Sequence, residues 1–103
     1  MRVIVSEKAR HEVLAFYAQA LALHPSLDEA VVVKKIDRLF ESLNFLSIFP
    51  EAYGYSRVRE DWRDAGYREF LCEDFHFAYE ICTDADGEAC VLVADAVHSL
   101  LNY

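Results

Sequence analysis

The pattern of apolar and polar residues divides the chain into an N-terminal part with helical periodicity and a C-terminal part with a period of two. A short strand is predicted at Met1–Ser6, because its apolar residues are β-branched and the run is brief. From Glu7 onward the apolar positions recur with the spacing of an amphipathic helix, and Ser6 is a good residue to cap its start. Pro25 ends this helix at the preceding residue.

A second helix is predicted immediately after Pro25. Ser26 and Glu29 have the spacing of a capping box, which marks the start of a helix. Apolar residues then recur at helical intervals up to about Phe49, where Pro50 stops the helix. The two predicted helices therefore form a hairpin with a very short connection.

Beyond the second helix, apolar and polar residues alternate, as they do in strands that bury one face. Four strands are predicted, namely around Tyr55–Arg59, at Tyr67–Cys72, at Phe75–Cys82 and at Cys90–Val97. The last of these is almost continuously apolar, which is typical of a strand covered on both faces. A turn containing Asp86-Gly87 joins the last two strands, because Asp-Gly supplies the positive φ of a tight hairpin. The predicted order is β-α-α-β-β-β-β, an α+β fold in which a helical hairpin packs on a mostly antiparallel sheet.

Composition supports a single folded domain. With 103 residues, 54% of them hydrophobic and only 3 Gly and 2 Pro, the chain has enough apolar side chains for one core. No apolar run approaches the roughly 20 residues that span a bilayer, and the N-terminus lacks the pattern of a secretory signal. The three cysteines show no disulfide or zinc spacing, so a reducing cytosol is favoured and neither a metal nor a cofactor is expected.

The net charge of −8 arises entirely in the second half. Residues 1–50 carry six acidic and six basic residues, whereas residues 51–103 carry twelve acidic and four basic ones. These four bases are clustered arginines, Arg57, Arg59, Arg63 and Arg68. Guanidinium groups on one sheet face bind phosphate or carboxylate, which makes Arg57, Arg59 and Arg63 candidate nucleic-acid-binding residues. The alternative is a solvated face whose charge is neutralised by the interleaved acids Glu60, Asp61, Asp64 and Glu69.

The C-terminal end supplies the candidate group for proton transfer. His98 follows the last predicted strand, and histidine is the side chain that titrates nearest neutral pH. Tyr103 lies five residues further along the chain. The alternative is structural, with a histidine that ends a strand and a tyrosine that packs.

In the order and spacing of its motifs, the chain resembles the RelE/ParE superfamily of bacterial type II toxin–antitoxin toxins, also called plasmid stabilisation proteins. The matching stretches are Phe49-Pro50 with Gly54, Gly66-Tyr67-Arg68-Glu69-Phe70, Phe77-Ala78-Tyr79-Glu80-Ile81, and the apolar strand that leads to His98. They span essentially the whole chain. The resemblance implies one toxin domain over residues 1–103, with two helices on a curved sheet, acting in the bacterial cytoplasm.

The ribonuclease branch of that superfamily implies catalytic roles for three residues. By position, Arg68 matches the arginine that holds the scissile mRNA phosphate in the ribosomal A site, and His98 matches the histidine after the last strand. Tyr103 lies where that branch often has a C-terminal tyrosine. Such cleavage requires one group to remove the 2′-hydroxyl proton, another to protonate the leaving 5′-oxygen, and an arginine to stabilise the phosphate charge.

Three functions remain open. The chain is a ribosome-dependent endoribonuclease, a ParE-like inhibitor of DNA gyrase without catalytic chemistry, or an inactive toxin-fold protein that only binds an antitoxin. The last is suggested by the net charge and by Ser99, which stands where the family usually has an arginine. All three imply an antitoxin partner and no membrane, and none fixes the oligomeric state. Because the chain is acidic, we expect an apolar or basic antitoxin segment, with Phe45, Leu46 and Phe49 as candidate contacts. The alternative use of each of these three residues is packing in the core.

Overall fold

The computed structural model describes residues 1–57 and 59–101. Its elements follow one another as β1 (Arg2–Val5), α1 (Glu7–Leu23), α2 (Glu29–Ser42), a 3₁₀ helix (Leu43–Ser47), α3 (Glu60–Asp64), β2 (Arg68–Cys72), β3 (Phe75–Thr83) and β4 (Ala89–His98). The predicted α+β class is confirmed, with an N-terminal strand, then helices, then the remaining strands. Within the described ranges, no helix combines the length and apolar character needed to cross a membrane.

The four strands form one mixed sheet in the order β1-β4-β3-β2. Strand β3 pairs antiparallel with both β2 and β4, whereas β1 lies parallel to β4. The sheet is therefore mostly antiparallel, as predicted. The register shifts once, because Ala78 pairs with Asp95 while the next residue, Tyr79, pairs with Val93. Ala94 is thus the extra residue of a β-bulge in β4.

The helices cover one face of this sheet. Ser6 caps α1 as predicted, since its Oγ accepts the Ala9 amide hydrogen at 3.0 Å, and the same hydroxyl donates to Ala94 O at 2.9 Å. The cap therefore joins α1 to the bulge of the sheet. The core between the layers is built from fully buried side chains of the helices and of β3, including Val13, Leu39, Leu43, Phe75, Phe77 and Tyr79.

The boundaries of the second helix differ from the prediction at both ends. Asp28 rather than Ser26 caps α2, and its carboxylate accepts a backbone amide hydrogen of the first turn at 2.9 Å. The helix predicted up to Phe49 ends at Ser42 and continues as the 3₁₀ helix. The Ser42 hydroxyl donates to a carbonyl of its own last turn at 2.6 Å, a bond that competes with continuation of an α-helix.

The prediction of a strand around Tyr55–Arg59 is wrong for the residues that the structure describes. Val58, in the middle of that segment, lies outside the described residues. Tyr55 makes only an isolated antiparallel bridge with Arg68, and the short helix α3 follows. The indole of Trp62 in α3 donates to Asp95, which alternates along β4 with core-facing residues. Because alternate residues of a strand point to opposite faces, α3 covers the sheet face that the other helices leave open.

Candidate binding surface

The clustered arginines do not form one clamp. Arg59 Nε donates to Asp61 Oδ1 at 2.8 Å, and its guanidinium carbon lies 4.8 Å from the centroid of the Trp62 ring. Arg63 lies 3.7 Å from the carboxylates of two neighbours in the same helix. Local acids therefore neutralise Arg59 and Arg63, which matches the alternative considered for the whole cluster.

Arg57 and Arg68 take part in none of the ion pairs between described residues. Arg68 Nη1 donates to Tyr53 O at 2.7 Å, and its guanidinium carbon lies 4.5 Å from the centroid of the Tyr55 ring. These contacts fix the segment before β2 without neutralising the charge of Arg68. We call Tyr53, Tyr55, Arg57 and Arg68 the arginine–tyrosine surface.

The arginine–tyrosine surface is suited to binding rather than to bond cleavage. Tyr55 is 58% exposed, and Arg57 is exposed beside it. A shallow cavity of about 330 Å³ lies here, bordered by Gly54, Tyr55, Ser56, Arg57 and Glu69. Guanidinium groups next to exposed aromatic rings bind carboxylates or phosphates and stack on planar groups. The arrangement therefore offers a partner local positive charge on an otherwise acidic half of the chain.

His98 lies in a different environment, inside the core. Its ring stacks on that of Phe16 with centroids 3.9 Å apart, and the ring of Phe75 meets it edge-on at 5.0 Å. His98 Nδ1 accepts the amide hydrogen of Leu100 at 3.1 Å, which requires this nitrogen to carry no hydrogen. Burial lowers the pKa of His98, because the charged ring would lose its hydration. The neutral form is thus the one that fits this site.

The strand register keeps His98 apart from Arg68. His98 pairs with Phe75 in β3, whereas Arg68 pairs with Tyr79. This offset along the strand and the two strand spacings place the two Cα atoms roughly 16 Å apart. The Arg68 side chain also turns toward Tyr53, while aromatic rings enclose His98. The candidate catalytic residues Arg68 and His98 are therefore not brought together, and Tyr103 lies outside the described residues.

A row of hydrogen bonds, which the sequence does not predict, lies on the sheet face opposite the core, the second face of the sheet. Ser56 Oγ donates to Glu69 Oε1 at 2.8 Å, and Glu69 Oε2 lies 3.1 Å from His76 Nδ1. His76 Nε2 lies 2.9 Å from Ser99 Oγ. We call these four residues the polar chain. The sequence does contain one indication of this arrangement. Glu69 and His76 alternate with apolar residues that face the core, so both side chains lie on the opposite face of the sheet.

Ser99, His76 and Glu69 are hydrogen-bonded in the same sequence as the nucleophile, the base and the orienting acid of a catalytic triad. However, the Ser99 hydroxyl and the Ser99 amide both donate to Asp74 O, at 2.9 and 2.8 Å. The amide hydrogen of the next residue goes to His98. Because these donors are engaged, the described part of this segment supplies no amide pair for an oxyanion hole. The polar chain instead fastens the segment after β4 to β2 and β3.

Asp95 is a buried carboxylate at the centre of a second set of hydrogen bonds. Its carboxylate accepts from Trp62 Nε1 at 3.1 Å, from Lys8 Nζ at 2.9 Å and from the Ala96 amide at 2.8 Å. The hydrogen bond to Asp95 raises the pKa of Lys8, so the ammonium form is retained. Asp95 therefore links the start of α1 and helix α3 to the same strand. Within the described residues, no group of three or more His, Cys, Asp or Glu side chains is arranged to hold a metal ion.

The three candidate antitoxin contacts divide into two kinds. Leu46 is fully buried in the core, so the packing alternative is confirmed for this residue and the exposed contact is wrong. Phe45 and Phe49 are each more than 60% exposed, and Ile48 between them is equally exposed. These three residues form an apolar surface beside the 3₁₀ helix.

His98 makes folding stability depend on pH. Its lowered pKa means that the unfolded chain binds the proton more readily than the folded chain. We therefore expect the free energy of unfolding to fall as the pH drops below about 6.5, the ordinary histidine value. The loss is complete once the pH is below the pKa of folded His98. Urea unfolding between pH 7.5 and pH 5 measures this slope.

The matched variants are His98→Asn, whose amide oxygen retains an acceptor for Leu100, and His11→Asn on the exposed side of α1. His98→Asn should flatten the acid-side slope, and His11→Asn should leave it unchanged. Equal slopes in His98→Asn and the unmodified chain would assign the pH dependence to other groups.

Comparison with known proteins adds no family assignment. No protein-family model matches this chain, and a search of curated proteins finds no significant match.

Proposed function

We propose that this chain is the toxin of a bacterial type II toxin–antitoxin module, and that it inhibits growth by binding DNA gyrase rather than by cleaving RNA. The family is proposed from the order of motifs along the sequence, and the α+β fold is consistent with it. The choice of target depends on one observation above all. His98 is packed between the rings of Phe16 and Phe75, and the strand register places it far along the sheet from Arg68.

The charge distribution also favours a protein target. A net charge of −8 opposes close approach to ribosomal RNA, whose phosphates a nuclease must contact. Binding to a protein requires only a local complementary patch. The arginine–tyrosine surface provides one, because Arg57 and Arg68 lie beside exposed tyrosines and form no ion pair with the described residues.

The proposal predicts inhibition of gyrase by the purified chain. Expression of the chain alone should arrest bacterial growth and produce filamentous cells with intact messages. In a supercoiling assay with purified gyrase, Arg68→Ala should weaken inhibition by about tenfold or more, the effect of removing an arginine at the centre of an interface. Arg57→Ala should weaken it less, because Arg57 forms no side-chain hydrogen bond or ion pair with another described residue that would order the segment.

Two control variants sharpen this experiment. Arg38→Ala removes an exposed arginine of α2 and should inhibit like the unmodified chain. His98→Asn should also retain inhibition, since no chemistry at His98 is required. Normal supercoiling in the presence of excess folded chain would refute gyrase as the target.

RNA cleavage through His76 is the second candidate function. His76 contacts Glu69, and Glu69 borders the same cavity as Arg57, so a proton carrier and a cation lie on one side of the sheet. Primer extension on messages from expressing cells distinguishes this function. Cleavage that is lost in His76→Gln and kept in His98→Asn would replace gyrase binding with catalysis at the polar chain.

The proposed antitoxin partner binds the apolar surface of Phe45, Ile48 and Phe49. These side chains are exposed beside the 3₁₀ helix, and burying them against an apolar segment would be favourable. Because the chain is acidic, a basic flank on that segment would add attraction.

A further inference from the structure

Two of the three cysteines face each other across the central strand pair. Cys82 in β3 and Cys90 in β4 are direct partners in the antiparallel register, and their Sγ atoms lie 3.3 Å apart. Both are free thiols. The third cysteine, Cys72, lies in β2 and contacts the hydroxyl of Ser42 at 2.9 Å.

The backbone geometry at this pair is compatible with a disulfide. Directly opposed residues of antiparallel strands have Cα atoms about 4.5–5.5 Å apart. Disulfides span Cα separations of about 4.4–6.8 Å, with a bonded S–S distance of about 2.05 Å. The two sulfur atoms of Cys82 and Cys90 therefore need to approach by little more than an ångström, which side-chain rotation can supply without a new strand register.

We propose that Cys82 and Cys90 form an oxidative modification site, which hydrogen peroxide converts into an intrachain disulfide between β3 and β4. Nothing in the proposed toxin function requires this bond.

The different exposure of the two thiols sets the order of the reaction. Cys82 is partly exposed, whereas Cys90 is fully buried, so peroxide meets Cys82 first. The Cys82 thiolate attacks one peroxide oxygen, the O–O bond breaks, and hydroxide leaves, which gives a sulfenic acid. Cys90 sulfur then attacks Cys82 sulfur and displaces the sulfenic hydroxyl, which takes the Cys90 proton and leaves as water. Overall, two thiols and one peroxide give one disulfide and two waters.

The surroundings of the pair make the first step slow at neutral pH. The hydrogen bond with the Cys90 thiol, followed by burial, raises the pKa of Cys82, and the negative charges of Glu80 and Asp84 act in the same direction. On the neighbouring strand, Arg2 pairs with Cys90 in register, but its guanidinium is engaged with Asp84 at 3.5 Å. Since the thiolate is the reactive form, the rate should rise with pH.

The test is a peroxide titration of the purified full chain, followed by alkylation and mass spectrometry. Oxidised chain should be lighter by two hydrogen atoms, should retain one alkylatable thiol at Cys72, and should yield a linked pair of peptides containing Cys82 and Cys90. Dithiothreitol should reverse the change. From pH 7 to pH 8 the initial rate should increase about tenfold, in proportion to the thiolate fraction.

Three variants keep the test decisive. Cys72→Ala should form the same disulfide and retain no alkylatable thiol. Cys90→Ala should stop oxidation at the sulfenic acid of Cys82. Should Cys90→Ala fail to fold, Cys82→Ala, at a partly exposed position, serves instead and should leave Cys90 reduced. A disulfide that includes Cys72, a Cys82 oxidised beyond the sulfenic acid beside an intact Cys90 thiol, or no reaction at Cys82 would overturn the proposal.

Discussion

Replacing Trp62 with alanine is expected to lower the free energy of unfolding by about 3–5 kcal/mol. Trp62 is 2% exposed and is the residue through which α3 contacts the second face of the sheet. Its indole N–H also donates to Asp95, so the substitution removes one donor from a buried carboxylate. The loss is a large fraction of the 5–15 kcal/mol by which a typical domain is stable.

Urea denaturation of Trp62→Ala and two companion variants measures this effect. Trp62→Phe keeps an aromatic ring in the core and loses the hydrogen bond, so its cost should fall well below that of alanine. Leu71→Ala, at a position that is mostly exposed, should change stability by no more than about 0.5 kcal/mol. A midpoint for Trp62→Ala equal to that of Leu71→Ala would mean that α3 contributes little to the fold.

Replacing Phe75 with alanine should cost a similar 3–5 kcal/mol and should also change the environment of His98. Phe75 is fully buried, and its ring contacts those of Phe16, Tyr17 and His98. Removing the ring admits water or neighbouring atoms beside the imidazole. Because burial is the main cause of the lowered pKa of His98, that pKa should rise toward the ordinary histidine value.

Two readouts separate packing from electrostatics in this experiment. Urea unfolding gives the stability loss, and NMR titration of the His98 ring gives the pKa. Phe75→Leu keeps an apolar side chain of similar length. It should therefore lose less stability than Phe75→Ala, and the pKa of His98 should stay lower in it than in Phe75→Ala. An unchanged pKa in folded Phe75→Ala would show that Phe75 does not shield His98 from water.

The elements with a clear period could be predicted from sequence, and those decided by a single large side chain could not. Alternation along Phe75–Cys82 and the Asp-Gly turn correctly predict β3, the hairpin and β4. The short period-two pattern around Tyr55–Arg59 is misleading, because burial of Trp62 against the sheet favours a helical turn nearby. The hydrophobic effect on one tryptophan outweighs a weak local strand preference.

The same distinction applies to the candidate site. The density of arginines is visible in the sequence, but their separate partners are not. Acids next to Arg59 and Arg63 neutralise these two, while Arg68 turns toward the tyrosines of a preceding segment. The burial of His98 depends on Phe16, which lies far away along the chain. Contacts between distant segments require the strand register, which no local pattern supplies.

The parallel pairing of β1 with β4 has a consequence for the order of folding. Arg2 pairs with Cys90, so the ribosome must add 88 further residues before the partner of β1 exists. Until then the helices and the first strand can form only local contacts, and the sheet edge that β1 needs is missing. Such non-local pairing slows folding, because the entropy of closing a long loop is lost before the contacts form. A nascent chain of this protein therefore lacks the β1–β4 and β3–β4 pairings until β4 has been synthesised, so no function that needs the assembled sheet can begin before that point.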